Sequence, residues 1–175
     1  MRIHRITLRN YRGTVERTLE FRDGVTVVEG RNEVGKSTLV EALRHLRLHK
    51  ASTSRKEVRD TQPVGRDVGP EAEVELSTGE YHLTYCKRWL KGKKTELNIT
   101  APHPEKLSGD DAHERFLQVV AETTDDGLFE ALEVAQGNSL GQANLARLPA
   151  LRRALDGAGP STGEHDALLE AVEKE

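Results

Sequence analysis

The stretch "GRNEVGKST", residues 30–38, constrains this chain more than any other. It has the spacing G-x-x-x-x-G-K-[ST], with Gly30, Gly35, Lys36 and Ser37 at the fixed positions. Glycines at both ends permit positive φ angles and a close backbone approach. A turn of this kind points successive N–H groups, here those of Asn32 to Thr38, into one concavity that suits an anion. The flanks agree with that reading. "VTVVEG" ahead of the turn is a compact apolar run that reads as a strand. After it, Leu39, Val40, Leu43 and Leu46 recur at helical spacing, which predicts an amphipathic helix from Lys36 to about His49. Strand, glycine turn and helix in this order imply an α/β fold in which the positive end of the helix dipole faces the bound group. In such a loop a lysine at position 36 meets the outer phosphates of a nucleotide, and the Ser37 hydroxyl binds Mg2+. The competing reading is a glycine-rich turn with no ligand; the strand and helix on either side argue against it.

Elsewhere the pattern is simpler. Alternation predicts strands over Arg2–Leu8 and Thr14–Phe21, paired as a hairpin. Asp23-Gly24 marks a turn before the strand that feeds the glycine loop. Residues 50–69 are polar and read as a long, mobile loop. From Glu71 the period becomes two. "AEVEL", "YHLTYCKRWL" and "TELNIT" predict an antiparallel β subdomain at about 71–101, inserted after the first helix. "SGDDAHERFLQVVAETT" predicts a second helix with Ser108 as N-cap, Asp110 and Asp111 in the first turn, and Phe116, Val119 and Val120 on the buried face. Residues 127–141 read as a short helical piece running into a loop at Gln136-Gly137. Residues 142–159 read as helix broken by Pro149, and 161–175 as the start of another helix.

Composition narrows the function. With 175 residues, 35% hydrophobic and 31% charged, the chain has one modest core and much solvated surface. A net charge of -3 gives no overall attraction to nucleic acid, so any DNA contact needs a local patch. The densest one is "CKRWLKGKK", where Lys87, Arg88, Lys91, Lys93 and Lys94 surround Trp89. It reads either as a contact to DNA backbone or, preferably, as a solvated hairpin whose lysines guard an edge strand. The single cysteine, Cys86, excludes an intramolecular disulfide and fits a reducing cytoplasm. The seven histidines show no metal-ligand spacing. No apolar run approaches the roughly 18 residues of a membrane span, so a cytoplasmic protein with no membrane partner is expected.

"ITLRNYRG…LEFRDGVTVVEGRNEVGKSTLVEALR" resembles the N-terminal end of the SMC-like ABC ATPases, most closely the SbcC-type DNA double-strand-break-repair ATPases and their RecF- and YhaN-like relatives. That family begins with a strand, an "N-[FY]-R" element, a second strand and "G-x-N-x-x-GKST". Here the elements are Asn10-Tyr11-Arg12 and "GRNEVGKST". The likeness is strong over about residues 1 to 48 and moderate around 128 to 138.

The resemblance implies a P-loop NTPase fold, the N-terminal lobe of an ABC/SMC-type head with an antiparallel β subdomain. Residues 1–160 would form the N-terminal half of that head, and 161–175 the start of a helix leading into a coiled coil. ATP and Mg2+ are the implied cofactors. Gly30, Arg31, Asn32, Glu33, Val34, Gly35, Lys36, Ser37 and Thr38 would hold the phosphates, with Ser37 and Gln136 on the metal and Lys36 and Gln136 in catalysis. Arg12 would approach the phosphates; otherwise it is an exposed strand-end arginine. Gln136, followed by Gly137, would bind Mg2+ or orient the attacking water; otherwise it is a solvated loop residue. The implied partners are the C-terminal half of the same head, a second head in a homodimer, double-stranded DNA bound without regard to sequence, and a metal-dependent nuclease subunit. ATP binding and hydrolysis would drive head dimerisation in double-strand-break repair or end processing. The alternatives are an ATP-gated DNA clamp with little turnover and the ATPase module of a RecF- or YhaN-like defence nuclease.

Hydrolysis in this family also needs a carboxylate at the end of a second buried strand. "FLQVVAE" and "ALLEAVE" have helical period instead. The chain is therefore expected to be a half-head that is inactive alone. "LSGDD", residues 107–111, resembles the LSGG signature, but Asp110 and Asp111 would repel a phosphate there.

Overall fold

Along β1 (Arg2–Tyr11) alternation sends Ile6 and Leu8 to one face and Thr7 and Arg9 to the other. The same period runs through β2 (Thr14–Glu20), β3 (Glu71–Thr78), β4 (Tyr81–Arg88), β5 (Lys94–Ala101) and β6 (Glu105–Ser108). These six strands form one sheet in the order β2-β1-β3-β4-β5-β6, antiparallel throughout. The computed structural model describes residues 1–24, 26–29 and 35–124.

Register explains the two faces. Ile6, Val74, Tyr85, Leu97 and Leu107 lie side by side across five strands, and Ile3, Leu76, Leu83 and Ile99 form the next row. Helices α1 (Lys36–Leu48) and α3 (Gly109–Thr123) cover this apolar face. Leu39, Ala42 and Leu46 of α1 and Phe116, Val119 and Val120 of α3 join the strands in one core. Each of the leucine, valine and phenylalanine side chains contributes roughly 1.5–3 kcal/mol on burial. Phe116 stacks on Tyr85 with ring centroids 3.9 Å apart.

The opposite face carries a cross-strand charge row: Glu16, Arg9, Glu71, Arg88 and Lys94 are successive partners on β2, β1, β3, β4 and β5. Glu71 lies at its centre, with Arg9 Nη1 at 2.7 Å and Arg88 Nε at 2.7 Å. These donors hold the Glu71 carboxyl below its ordinary pKa although its burial acts the other way.

Three expectations are revised. The β subdomain exists, but it is not a separate insertion: β3 pairs with β1, so the N-terminal hairpin belongs to the same sheet. Of the strand expected before the glycine loop, Thr26–Glu29 is unpaired and Val27 is exposed. A strand needs a neighbour for its ladder, and none lies beside it among the described residues. The expected loop at 50–69 contains a one-turn helix, α2 (Lys56–Arg59), pinned by the fully buried Val58 and followed by the fully buried Thr61. The readings for 127–141, 142–159 and 161–175 lie outside the described residues.

Candidate functional site

Helix α1 starts behind Gly35, whose φ of 89° is left-handed. A β-carbon there would meet Thr38 Oγ1 at 3.5 Å, an ordinary contact, so it is the dihedral rather than space that calls for glycine. No side chain caps the helix and its first turn carries no acidic residue. The first N–H groups of a helix have no partner inside it, so this end presents donors and positive dipole, and its own first turn sets no carboxylate against them. Lys36 is half-buried here, Ser37 is exposed and Thr38 is buried. Hydroxyl, ammonium and helix N-terminus together fit a phosphate with its Mg2+. Gly30, Arg31, Asn32, Glu33, Val34 and Gln136 lie outside the described residues, so four residues of the expected seat, Gly35 to Thr38, are placed.

Arg12 sits in the β1–β2 turn with φ 52°. Its N–H donates to the Thr61 carbonyl at 2.6 Å. Its guanidinium forks onto Glu41 of α1, with Nε donating to Oε2 at 2.7 Å and Nη2 to Oε1. Glu41 lies five residues past Lys36, about 7.5 Å along the helix axis. Arg12 is therefore carried to the phosphate-loop helix, and there its charge is matched by a carboxylate. It also lines a cleft of about 430 Å³ with Thr14, Asp60, Gln62 and Arg66.

The basic stretch at 87–94 is not the surface feature that the sequence suggested. Period two turns Lys87 to the helix-covered face and Arg88 to the other. Lys87 is fully buried: Nζ donates to the carbonyls of Leu46 at 2.8 Å and His49 at 2.6 Å, and meets His113 Nδ1 at 3.0 Å. It closes the C-terminal end of α1, where a cation is favoured. Burial nevertheless pushes its pKa down to about 7, and burial with the Lys87 charge pushes His113 down to about 4. Arg88 and Lys94 pair with Glu71, Lys91 pairs with Asp67, and Trp89 is fully buried. β4 and β5 are interior strands, so the lysines guard no edge.

Sequence reading also missed a histidine pair. His45 and His49 are one helical turn apart, both buried, with Glu57 beside them. The H-x-x-x-H spacing was the available signal, and the basic residues around it ("RHLRLHK") masked it. Tyr11 Oη lies 2.7 Å from His45 Nδ1. Burial lowers the pKa of both imidazoles.

Residues 1–115 match the AAA ATPase domain family. Over 100% of its length the chain is 44% identical to an uncharacterized protein of Mycobacterium tuberculosis, of which it covers 21%. It is 26% identical, over 82% of its length, to the DNA replication and repair protein RecF of Phocaeicola vulgatus, covering 44% of that protein. RecF of Bacillus cytotoxicus is 35% identical over 56% of the chain and 26% of the relative. The solved structure of the recombination mediator protein RecF with ATP aligns over 61% of this chain and 28% of that one, at 20% identity and a TM-score of 0.45. The chain thus spans about a fifth of the length of the mycobacterial relative and less than half of these RecF proteins. The match over residues 1–115 takes in the Asn10-Tyr11-Arg12 turn and the glycine-loop helix on which it docks, and the chain belongs to the AAA ATPase domain family, related to RecF.

Proposed function

We propose that this chain is the ATP-binding part of an SMC- and RecF-like ATPase head. The observation that carries the reading is the start of α1: left-handed Gly35, then Lys36, Ser37 and Thr38, with no side-chain cap and no acid in the first turn. Lys36 neutralises the outer phosphates, the Ser37 hydroxyl offers an oxygen to Mg2+, and the loop amides of residues 32–38 bind phosphate oxygens. Gln136 completes the metal or orients water, and Arg12 reaches phosphate by leaving Glu41. Calorimetry with Mg2+ and ATP on the full chain and on Lys36→Ala tests the seat. Binding that survives the substitution undiminished would falsify it.

Turnover belongs to the complete head. Phosphoryl transfer to water needs a positioned nucleophile, a metal held on more than one side and stabilisation of the spreading charge. Lys36, Ser37 and Gln136 supply part of that set; an acidic strand and a signature from a C-terminal half and an opposing head supply the rest. This chain alone should therefore release little phosphate, and adding the C-terminal half should raise the rate. Equal rates would mean that a catalytic carboxylate lies within these 175 residues.

The RecF relatives, named for DNA replication and repair, support a DNA-directed role and favour the RecF-like branch over the SbcC-type one. In this reading ATP brings two heads together on double-stranded DNA, with a nuclease subunit as an optional partner. The charges of residues 87–94 are largely spent on Glu71, Asp67 and the end of α1, so DNA contact is assigned to the assembled head. Neutralising Lys91 and Lys93 in the assembled head should leave the salt dependence of duplex binding unchanged.

A further inference from the structure

The end of α1 remote from the phosphate seat, about 18 Å away along the helix axis, gathers a second set of donors. His45 and the C-cap residue His49 face the same side, ring centroids 5.2 Å apart. Both are nearly inaccessible, at 5% and 7% exposure. Glu57, from α2, reaches them from solvent: its Oε1 is 3.0 Å from His49 Nε2, and its side chain is 52% exposed. One ligating atom from each of the three lies within 4.8 Å of the other two.

The supporting contacts are those that orient ligands. Tyr11 Oη holds His45 Nδ1 at 2.7 Å, and Lys87 Nζ holds the His49 carbonyl at 2.6 Å, fixing the C-cap from which that ring projects. The exposed edge at Glu57 provides an entry path.

Two imidazoles and one carboxylate form a donor set that suits Zn2+ and leaves a fourth position for water. Calcium and magnesium prefer oxygen throughout. We propose that His45, His49 and Glu57 form a zinc site that fastens the C-terminal end of α1 to α2. Zinc bonds of about 2.0–2.2 Å bring tetrahedral donors to about 3.3 Å apart. The Glu57–His49 pair, at 3.0 Å, is already at that spacing, and the set as a whole has to draw in from within 4.8 Å. Arg55, whose Nη1 is 3.7 Å from the same carboxylate and whose side chain is 70% exposed, moves out to solvent as the ion enters. The site has a structural consequence. α2 leads directly into Thr61, whose carbonyl accepts the Arg12 N–H, so the ion braces the segment on which the Arg12 turn rests.

The test uses the full chain, stripped of metal and without nucleotide, so it stands or falls apart from the ATP reading. Zn2+ is titrated against a chromophoric chelator. Co2+ is titrated by visible absorption and by fluorescence of Trp89, the chain's single tryptophan, whose ring centroid is 6.4 Å from that of His45. One Zn2+ per chain is expected, and Co2+ should quench Trp89. Glu57→Gln and His49→Gln should each weaken binding roughly tenfold or more, with unchanged far-ultraviolet circular dichroism, while substitution of the exposed His103 by Gln changes nothing. If His49→Gln does not fold, the solvent-facing Glu57→Gln decides alone. No binding, or binding undiminished in Glu57→Gln, overturns the proposal.

Discussion

Helices α1 and α3 each start at a glycine of positive φ and differ in charge. Gly35 precedes α1 with φ 89°, Gly109 opens α3 with φ 68°, and neither helix has a side-chain cap hydrogen bond. The turn "GKST" then brings an ammonium and two hydroxyls, whereas "GDDA" brings two carboxylates. At α3 the carboxylates answer the dipole from within, and Asp110 also takes Lys50 Nζ at 2.9 Å. At α1 no acid stands in the first turn. Backbone shape alone therefore does not distinguish the two starts; the sign of the first turn does, and it is the α1 start that the proposed function assigns to phosphate. Lys87 and His113 join the two helices, because the C-terminal carbonyls of α1 and the first turns of α3 share one buried ammonium.

The contrast is most exposed to failure at Lys36. Lys36→Ala should lower Mg2+–ATP affinity roughly ten- to a hundredfold, corresponding to about 1.5–3 kcal/mol for a hydrogen bond to a charged group. Calorimetry that shows equal affinity would put the α1 start on the same footing as the α3 start. Next in size is the link between the helices. Lys87→Met leaves the Leu46 and His49 carbonyls without their buried donor and should cost about 2 kcal/mol in urea unfolding. A change no larger than that of a surface substitution would show the two helices to be held independently.

A third prediction concerns acid. His113 faces Tyr85 and Lys87 from β4, Lys50 from beyond the end of α1, and Asp110 and Glu114 on its own helix. Its folded pKa, about 4, lies below the ordinary 6.5. In that window the unfolded chain takes up the proton first, so stability falls as pH drops from about 6.5 towards 4. His45 and His49, also lowered by burial, add to the same limb. Urea midpoints across this range should fall less steeply for His113→Gln than for the parent; parallel curves would remove His113 from the account. The smallest effect is expected at α3 itself. Replacing Asp110 and Asp111 by Asn should leave ATP binding unchanged and lower the melting temperature slightly. A marked loss of ATP binding would mean that the α3 start takes part in the phosphate seat after all.

Most of the elements were legible in the chain because each rests on neighbours close in sequence. Period two announced β1, β2, β3, β4 and β5, helical spacing announced α1 and the Phe116, Val119 and Val120 face of α3, and the glycine-loop pattern announced the left-handed glycine at which α1 starts. β6 was missed, being only four residues without a clear apolar alternation. α2 was missed because its one buried side chain, Val58, is a single apolar residue in a polar run. The basic stretch misled because composition was read before phase: Lys87 is even with Leu83 and Tyr85 on the covered face, and its neighbour Arg88 is not.

The sequence by itself determined which residues alternate, where α1 starts, and that its first turn carries Lys36, Ser37 and Thr38 without an acid. These properties depend on dihedral preferences and on side chains a few positions apart. Only the tertiary structure decided that β3 lies against β1, that Arg12 meets Glu41, that Lys87 ends α1, and that Glu57 stands beside His45 and His49. Each of those depends on which distant segment packs opposite, and a local pattern fixes the face a residue occupies without naming the partner across from it.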